Sequence, residues 1–238
     1  MRKQKKKINT REVTDLVSFI IISDTPAHRM KSYGPAPLLT IKKRKLIDYQ
    51  ISAIYDSFSN PEIIVCVGFE SGKVIEYIKT SYPDINIRIV ENQFFETTNS
   101  CESLRLCLNN TSNDKIFILN GSLLFKPSTV RLCDVSSHCV YIEKNPEKEF
   151  EVGVNIGENN NAVHFSYGAC KHWSEMIYIN DRDSIDYLRL VTSSDSFKNK
   201  FIFEAINELI KRDTHFSVIK NRYSMHKVSN LRKYQKLR

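Results

Sequence analysis

The first half of the chain alternates apolar runs of strand type with segments of helical periodicity. The strand-type runs cover 16–23, 61–68, 85–92 and 115–121, and apolar residues recur at helical spacing in 43–58, 73–81 and 100–108. β-branched runs separated by helices are typical of parallel strands that helices cover on both faces. This alternation predicts an α/β fold built on a mostly parallel sheet.

The second half has a different pattern. Strand-type segments cover 139–144, 150–168 and 175–179, and the middle one predicts a hairpin that turns at 158–161. Helices are predicted near 182–192 and 199–212, then short strands near 215–219 and 225–228, and a basic helix at the end. No linker rich in Pro or Gly marks a boundary. We therefore expect a basic arm at 1–15 and a single Rossmann-like domain at 16–238, with an antiparallel excursion in its C-terminal half.

The net charge of +8 comes from the two ends of the chain. Residues 1–7 carry five cations, and residues 220–238 carry seven with no carboxylate. The other 23 Lys and Arg stand against 27 Asp and Glu, so the body has a charge of about −4. Basic ends of this kind either contact nucleic acid or an acidic partner, or remain solvated tails.

Cysteine spacing and hydropathy bear on the cellular setting. No apolar run approaches the length of a membrane-spanning helix, and Glu12 and Asp15 argue against a signal peptide. Six cysteines show neither a Cys-x-x-Cys motif nor a His/Cys spacing suited to zinc. We expect reduced thiols, no bound metal, no membrane contact and a cytoplasmic location.

Three polar segments follow predicted strands, where ligands bind in open parallel sheets. They read SDTPAHRMKSYGPAPLL, ENQFFETTNSCESL and NGSLLF. In this order, and with the later KFIFEAINELI and SMHKVSNLRKYQKL, they resemble the sugar-nucleotide pyrophosphorylase and cytidylyltransferase family, nucleotidyltransferases of GT-A-like Rossmann fold. The family motifs are L-A-A-G-x-G-x-R-M, P-K-P-L-L, N-x-x-x-x-x-x-N-x-x-x-S-L, G-D, yyEdAI and W-x-E-I-D-x-x-x-D-L. The resemblance covers roughly 16–238.

The resemblance implies transfer of a nucleotidyl group from an NTP to a sugar phosphate or phosphocholine, with release of pyrophosphate. Such transfer depends on backbone amides, cations and Mg²⁺ that neutralise phosphate charge. In the first loop, Thr25 and Ala27 stand at the two glycine positions, and Asp24 stands where alanine is usual. The side chains narrow a phosphate cradle and the carboxylate repels phosphate. His28 is expected to be an exposed loop histidine.

Three further departures concern the lysine and the metal ligands of the family. Ala36 replaces the lysine of P-K-P-L, which in the family meets the phosphates. Ser122 replaces the metal-binding aspartate of G-D, and Ser229 aligns with the second metal aspartate. A neutral hydroxyl is a poor substitute for a carboxylate on Mg²⁺.

Five positions match the family motifs. They are Arg29, Asn92, Asn99, Ser103 and Glu204. The resemblance implies that Arg29 reaches the phosphates and that Asn99 and Ser103 belong to the substrate-side loop. Each also has a structural alternative: turn or helix-cap chemistry for the two asparagines, an outward-facing serine, and ion pairs for the arginine and glutamate.

The loss of the glycines, the lysine and both metal aspartates favours a catalytically degenerate protein, with no cofactor, that acts as a binding or structural component of an assembly. Its charged ends would dock a protein partner. The first alternative is an active nucleotidyltransferase that holds Mg²⁺ and NTP through Asp24, Glu91 or Glu96. The second is a nucleic-acid-associated protein that uses its basic tails. The composition also resembles phage-encoded relatives, which would place the protein in a viral particle.

Overall fold

The computed structural model describes residues 16–143, 151–169, 171–221, 223 and 225–238, so the arm predicted at 1–15 lies outside the described residues. The strands are β1 Ser18–Ser23, β2 Thr40–Ile41, β3 Arg44–Lys45, β4 Glu62–Val67, β5 Ile87–Glu91, β6 Ile116–Asn120, β7 Leu123–Leu124, β8 Cys139–Ile142, β9 Val152–Ile156, β10 Asn161–Tyr167, β11 Lys171–Ile179, β12 Phe216–Lys220 and β13 His226–Lys227. The α-helices are α1 Leu46–Tyr55, α2 Ser71–Ser81, α3 Ser100–Leu108, α4 Pro127–Val130, α5 Arg182–Ser193, α6 Ile202–Lys211 and α7 Leu231–Leu237.

Nine strands form one sheet in the order β5-β4-β1-β6-β11-β8-β12-β10-β9. The first four are parallel, as predicted. Beyond them β11 runs antiparallel to both β6 and β8, while β12 is parallel to β8. The hairpin of β9 and β10 closes this end, and β9 also pairs with β11. The α/β prediction with an antiparallel excursion is confirmed, and the antiparallel part is larger than predicted.

Strand β1 is apolar throughout because both faces of the sheet are covered. Ile20 and Ile22 pack in a core cluster with α3, α5 and α6. Phe19 and Ile21 pack on the opposite face with α1, α2 and α4. Successive side chains of the strand point to opposite faces of the sheet. Because both faces are buried, neither set is polar and the sequence of the strand is apolar throughout. This three-layer arrangement fixes the carboxyl ends of β1 and β6 at one edge.

The elements differ from the sequence predictions mainly in β11 and in the shortest strands. Strand β11 begins at Lys171, four residues before the predicted start at 175. Its pairing with β8 shifts register between Trp173 and Ile177, so no regular alternation marks its first half. The strands β2, β3 and β7 have two residues each, too short for a periodic pattern. None of the helices within the described residues combines the length and apolar character needed to cross a bilayer.

The aromatic cluster beneath the sheet provides a test of the packing. The buried Phe117 ring stacks 4.8 Å from Phe19 and lies 4.6 Å from Tyr178. We expect Phe117→Ala to lower the free energy of unfolding by about 3–5 kcal/mol because it leaves a cavity between these rings. Urea denaturation measures the change, and Phe94→Ala, at a side chain 68% exposed, is the matched control with an expected change within about 0.5 kcal/mol. Equal effects of the two substitutions would contradict the packing described here.

Candidate functional site

A cleft of about 340 Å³ opens at the carboxyl ends of β1 and β6. Its lining comes from the loop after β1, the turn after β6, the middle of β11, the start of α6 and the segment that follows β13. This is the edge at which open α/β sheets bind ligands. The cleft brings together several of the predicted site residues: Asp24, Thr25, His28, Ala36, Asn99, Ser122 and Ser229.

The carboxylate of Asp24 is satisfied within the protein. Asp24 is 3% exposed, and Ser103 Oγ donates to its Oδ2 at 2.5 Å. Asn92 Nδ2 lies 3.4 Å from the same oxygen and 3.0 Å from Ser103 Oγ. The backbone amides of Asp24 and Thr25 also interact with this carboxyl and lower its pKa. The side chain therefore joins the end of β1 to α3 and to the turn after β5.

Burial raises the pKa of Asp24 above its ordinary value. The hydrogen bonds from Ser103, Asn92 and the loop amides act in the opposite direction because they favour the ionised form. Asn92 Oδ1 also accepts from the backbone N–H of Phe94 at 3.0 Å, which is turn chemistry. These contacts account for Asn92 and Ser103 without a ligand, and neither residue lines the cleft.

The other three residues that match the family motifs differ in position. Asn99 lines the cleft, and its Nδ2 donates to the backbone oxygen of Asn199 at 3.2 Å. Glu204 lies outside the lining, where its Oε2 accepts from the N–H of Phe201 at 2.8 Å and caps the first turn of α6. Arg29 is exposed and has a left-handed backbone with φ of 55°. It also lies outside the cleft lining.

A charged cluster that is not among the predicted site residues lies on the cleft wall. Lys227 Nζ donates to Glu175 Oε1, and Asn120 Nδ2 donates to Glu175 Oε2 at 2.6 Å. The N–H and Oγ of Ser122 donate to Asn120 Oδ1 at 2.8 and 2.7 Å. The side chains of Lys227 and Glu175 are 20% and 26% exposed. A continuous chain of hydrogen bonds thus connects Ser122 to Lys227.

Backbone geometry directs Glu175 into this cluster. Glu175 has φ of 54°, in the left-handed region, and lies within the register shift of β11. A residue with a Cβ is uncommon there, and bulges of this kind reorient side chains. The only sign of this site residue in the sequence is a single carboxylate directly before the apolar run MIYI. Lys227 offered no comparable pattern.

The pairing of β7 with β13 explains how residues a hundred positions apart meet. Lys227 is opposite Leu123, and the N–H of Val228 donates to the oxygen of Ser122 at 2.9 Å. Ser122 and Ser229 both line the cleft as a result. These are the two positions at which the family resemblance implies metal aspartates.

The Mg²⁺ that the resemblance implies does not fit this wall. Two hydroxyls are weak ligands for a hard cation. The positively charged ammonium of Lys227 also repels a divalent cation. Within the described part of the chain, no group of three or more His, Cys, Asp or Glu side chains could hold a metal. The alternative carboxylates are also dispersed: Asp24 is bonded inward, and the exposed Glu91 and Glu96 lie outside the cleft lining.

The raised pKa of Asp24 predicts a pH dependence of stability. A carboxyl whose folded-state pKa exceeds its unfolded value, near 3.8, stabilises the fold below that value and loses this contribution as pH rises through the folded pKa. Asp24→Asn does not titrate. The free energy of unfolding of the wild type minus that of Asp24→Asn should therefore fall as pH rises above about 4, as urea denaturation would measure.

Asp195→Asn is the control for this measurement. Lys198 holds the pKa of the exposed Asp195 below its ordinary value, so the corresponding difference should not fall as pH rises. A flat difference for Asp24→Asn over the same range would contradict the role of burial at Asp24.

Solved structures of nucleotide-transferring enzymes resemble this chain. CTP:phosphocholine cytidylyltransferase from Streptococcus pneumoniae aligns with a TM-score of 0.74 and 17% identity, over 93% of this chain and 97% of that one. The inositol-1-phosphate CTP transferase from T. maritima aligns with a TM-score of 0.72 and 14% identity, over 92% and 94%. No protein-family model and no curated protein matches the sequence. The chain therefore has a sugar-nucleotidyltransferase-like, Rossmann-like α/β fold over most of its length.

Proposed function

We propose that this protein is a catalytically degenerate nucleotidyltransferase-like protein that binds rather than transfers. The observation that carries the proposal is the state of the wall formed by Ser122 and Ser229. The carboxylate beside these serines, that of Glu175, has both oxygens engaged, one by Lys227 and one by Asn120. Transfer from an NTP needs a cation such as Mg²⁺ held by free carboxylates against the phosphates.

The first loop supports the same conclusion. A phosphate cradle works through backbone amides that point at the ligand. Here the amides of Asp24 and Thr25 lower the pKa of the Asp24 carboxyl, so they already interact with an acidic group supplied by the protein itself. A polyphosphate would have to displace that carboxylate and the hydrogen bond from Ser103.

The open cleft favours a binding role over a purely structural one. Thr25 and His28 lie exposed at its margin, and the Tyr33 ring contacts Tyr234 edge-on with centroids 5.8 Å apart. These side chains leave the cleft unfilled. A volume of about 340 Å³ is within the range of small-molecule sites.

The ends of the chain would attach this binding unit to an assembly. Arg232, Lys236 and Arg238 are exposed on or beside α7, whereas Lys233 lies 3.5 Å from Glu151. These three cations would form an electrostatic docking surface for an acidic partner, and the five cations of 1–7 would add positive charge to the chain.

Calorimetric titration with each of the four NTPs, with and without Mg²⁺, tests the proposal, together with an assay for pyrophosphate release in the presence of sugar phosphates and phosphocholine. We expect no Mg²⁺-dependent heat and no pyrophosphate from protein shown by circular dichroism to be folded. Mg²⁺-dependent binding of one nucleotide, with pyrophosphate release, would establish an active transferase instead.

Charge reversal at the exposed cations of the C-terminal helix tests the docking surface. If the partner is nucleic acid, removal of 1–7 combined with Arg232→Glu and Lys236→Glu should abolish binding of a DNA duplex, and wild-type affinity should fall steeply with salt. Salt-insensitive wild-type binding would exclude this use of the ends. Glu substitutions at exposed Lys42 and Lys43 are the control, because these lysines lie in the β2–β3 turn, outside the proposed docking surface.

A further inference from the structure

We propose that Cys133 and Cys139 form a reversible redox site, in which a small disulfide such as glutathione disulfide oxidises the two thiols to an intramolecular disulfide bond. Both thiols are free in the structure. The pair lies between α4 and β8, and neither residue belongs to the lining of the cleft. The inference is therefore independent of the proposed function, since it concerns a modification of the chain rather than a ligand of the cleft.

The two sulfur atoms are already close to bonding distance. They lie 2.8 Å apart. A disulfide bond is about 2.05 Å long, so the sulfurs would have to approach by less than about 1 Å. Cys139 begins β8, where it is opposite Tyr178 of β11 and Ser217 of β12. The N–H of Cys133 donates to the oxygen of Val130 at 3.2 Å, just beyond α4. Backbone contacts thus hold both members of the pair.

The segment between the two cysteines is also anchored. Tyr178 Oη donates to the oxygen of Val135 at 3.1 Å, and Asn180 Nδ2 donates to the oxygen of Ser136 at 2.7 Å. Within the segment, the N–H of Ser136 donates to Asp134 Oδ1 at 3.0 Å, which is turn chemistry. These contacts keep the two thiols together, so the pair is arranged for bond formation before an oxidant arrives.

Accessibility distinguishes this pair from the other cysteines that the structure describes. Cys133 is half-buried, so a small oxidant reaches its sulfur, whereas Cys139 is 1% exposed. Cys66 and Cys107 also contact each other, but both are 0% exposed, as is Cys101. An oxidant would reach that core pair only after unfolding. Cys133 is therefore the thiol that reacts first.

The chemistry consists of two thiol–disulfide exchanges. Cys133 loses its proton to solvent, and the thiolate attacks one sulfur of glutathione disulfide. The S–S bond of the oxidant breaks, and one glutathione leaves as a thiolate that takes up a proton. Cys139 then loses its proton and attacks the Cys133 sulfur, which releases the second glutathione in the same way. Two protein thiols are oxidised, and one glutathione disulfide is reduced to two molecules of glutathione.

Burial supports this order of events and predicts a consequence for stability. Burial raises the pKa of the Cys139 thiol, which favours Cys133 as the first nucleophile. The bond would close a loop of seven residues, 133–139, and tie the connection after α4 to β8. A disulfide restricts the unfolded chain, so the oxidised protein should melt a few degrees above the reduced protein.

Peptide mapping after equilibration of the full chain with glutathione disulfide tests the inference. Trypsin cleaves after Arg131 and Lys144, so both cysteines lie on one peptide, 132–144. In protein unfolded with iodoacetamide, we expect this peptide to be lighter by two hydrogens and to take up no alkyl group, and dithiothreitol to reverse both changes. The peptides that carry Cys66 and Cys107 should be alkylated before and after oxidation, which makes them the internal control.

Two variants separate the roles of the thiols. Cys133→Ser should leave Cys139 reduced, with the same melting temperature with and without oxidant. Cys139→Ala should stop at a mixed disulfide of Cys133 with glutathione, which peptide mass identifies. Ser136→Ala, at an exposed residue of the same segment, should oxidise as the wild type does. Two alkylated thiols in the wild-type peptide, a persistent glutathione adduct, or a bond between two chains in non-reducing electrophoresis would each overturn the inference, given protein that circular dichroism shows to be folded.

Discussion

The contact between Asp24 and Ser103 determines how the rest of the cleft is arranged. Their hydrogen bond links the residue that directly follows β1 to α3. Asn92 contacts both side chains and so connects the turn after β5 to the same point. Three elements that are distant in sequence are fixed at one point. Because the carboxylate is buried, its partners must stay in place, since an unpaired buried carboxylate would be costly. The contacts of Asp24 with Ser103 and Asn92 therefore hold the start of the loop from Thr25 to Met30 in place without a bound anion.

Much of the fold could be predicted because the residue pattern that indicates a strand or a helix lies within that strand or helix. Strand β1 reads as a buried strand from six consecutive residues, and α3 begins and ends at the predicted positions. The pairing of β7 with β13 could not be predicted, because two-residue strands have no period and the partners Leu123 and Lys227 are distant in the chain. The larger antiparallel part of the sheet depends on where β11 inserts, which is also a long-range choice.

The candidate site was partly accessible to sequence reasoning. The motif positions 24, 25, 36, 122 and 229 do line one cleft. The direction of the side chains could not be predicted from the sequence. Asp24 is a predicted residue of the ligand cleft, but in the structure its carboxylate accepts a hydrogen bond from Ser103. Glu175 was missed because its direction depends on a left-handed residue within a bulge, and glutamate carries no sequence preference for that conformation.

The hydrogen-bond chain from Ser122 to Lys227 determines what a carboxylate introduced at this wall would meet. A Ser122→Asp substitution would add a carboxylate to a hydrogen-bond chain that already ends at the ammonium of Lys227, so the added charge would meet a cation supplied by the protein itself. A Ser229→Asp substitution would add a carboxylate two residues from the same lysine. Removal of Lys227 first would strand Glu175 without its cation. A wall that holds a metal through carboxylates at 122 and 229 would therefore also require changes at Lys227 and Glu175.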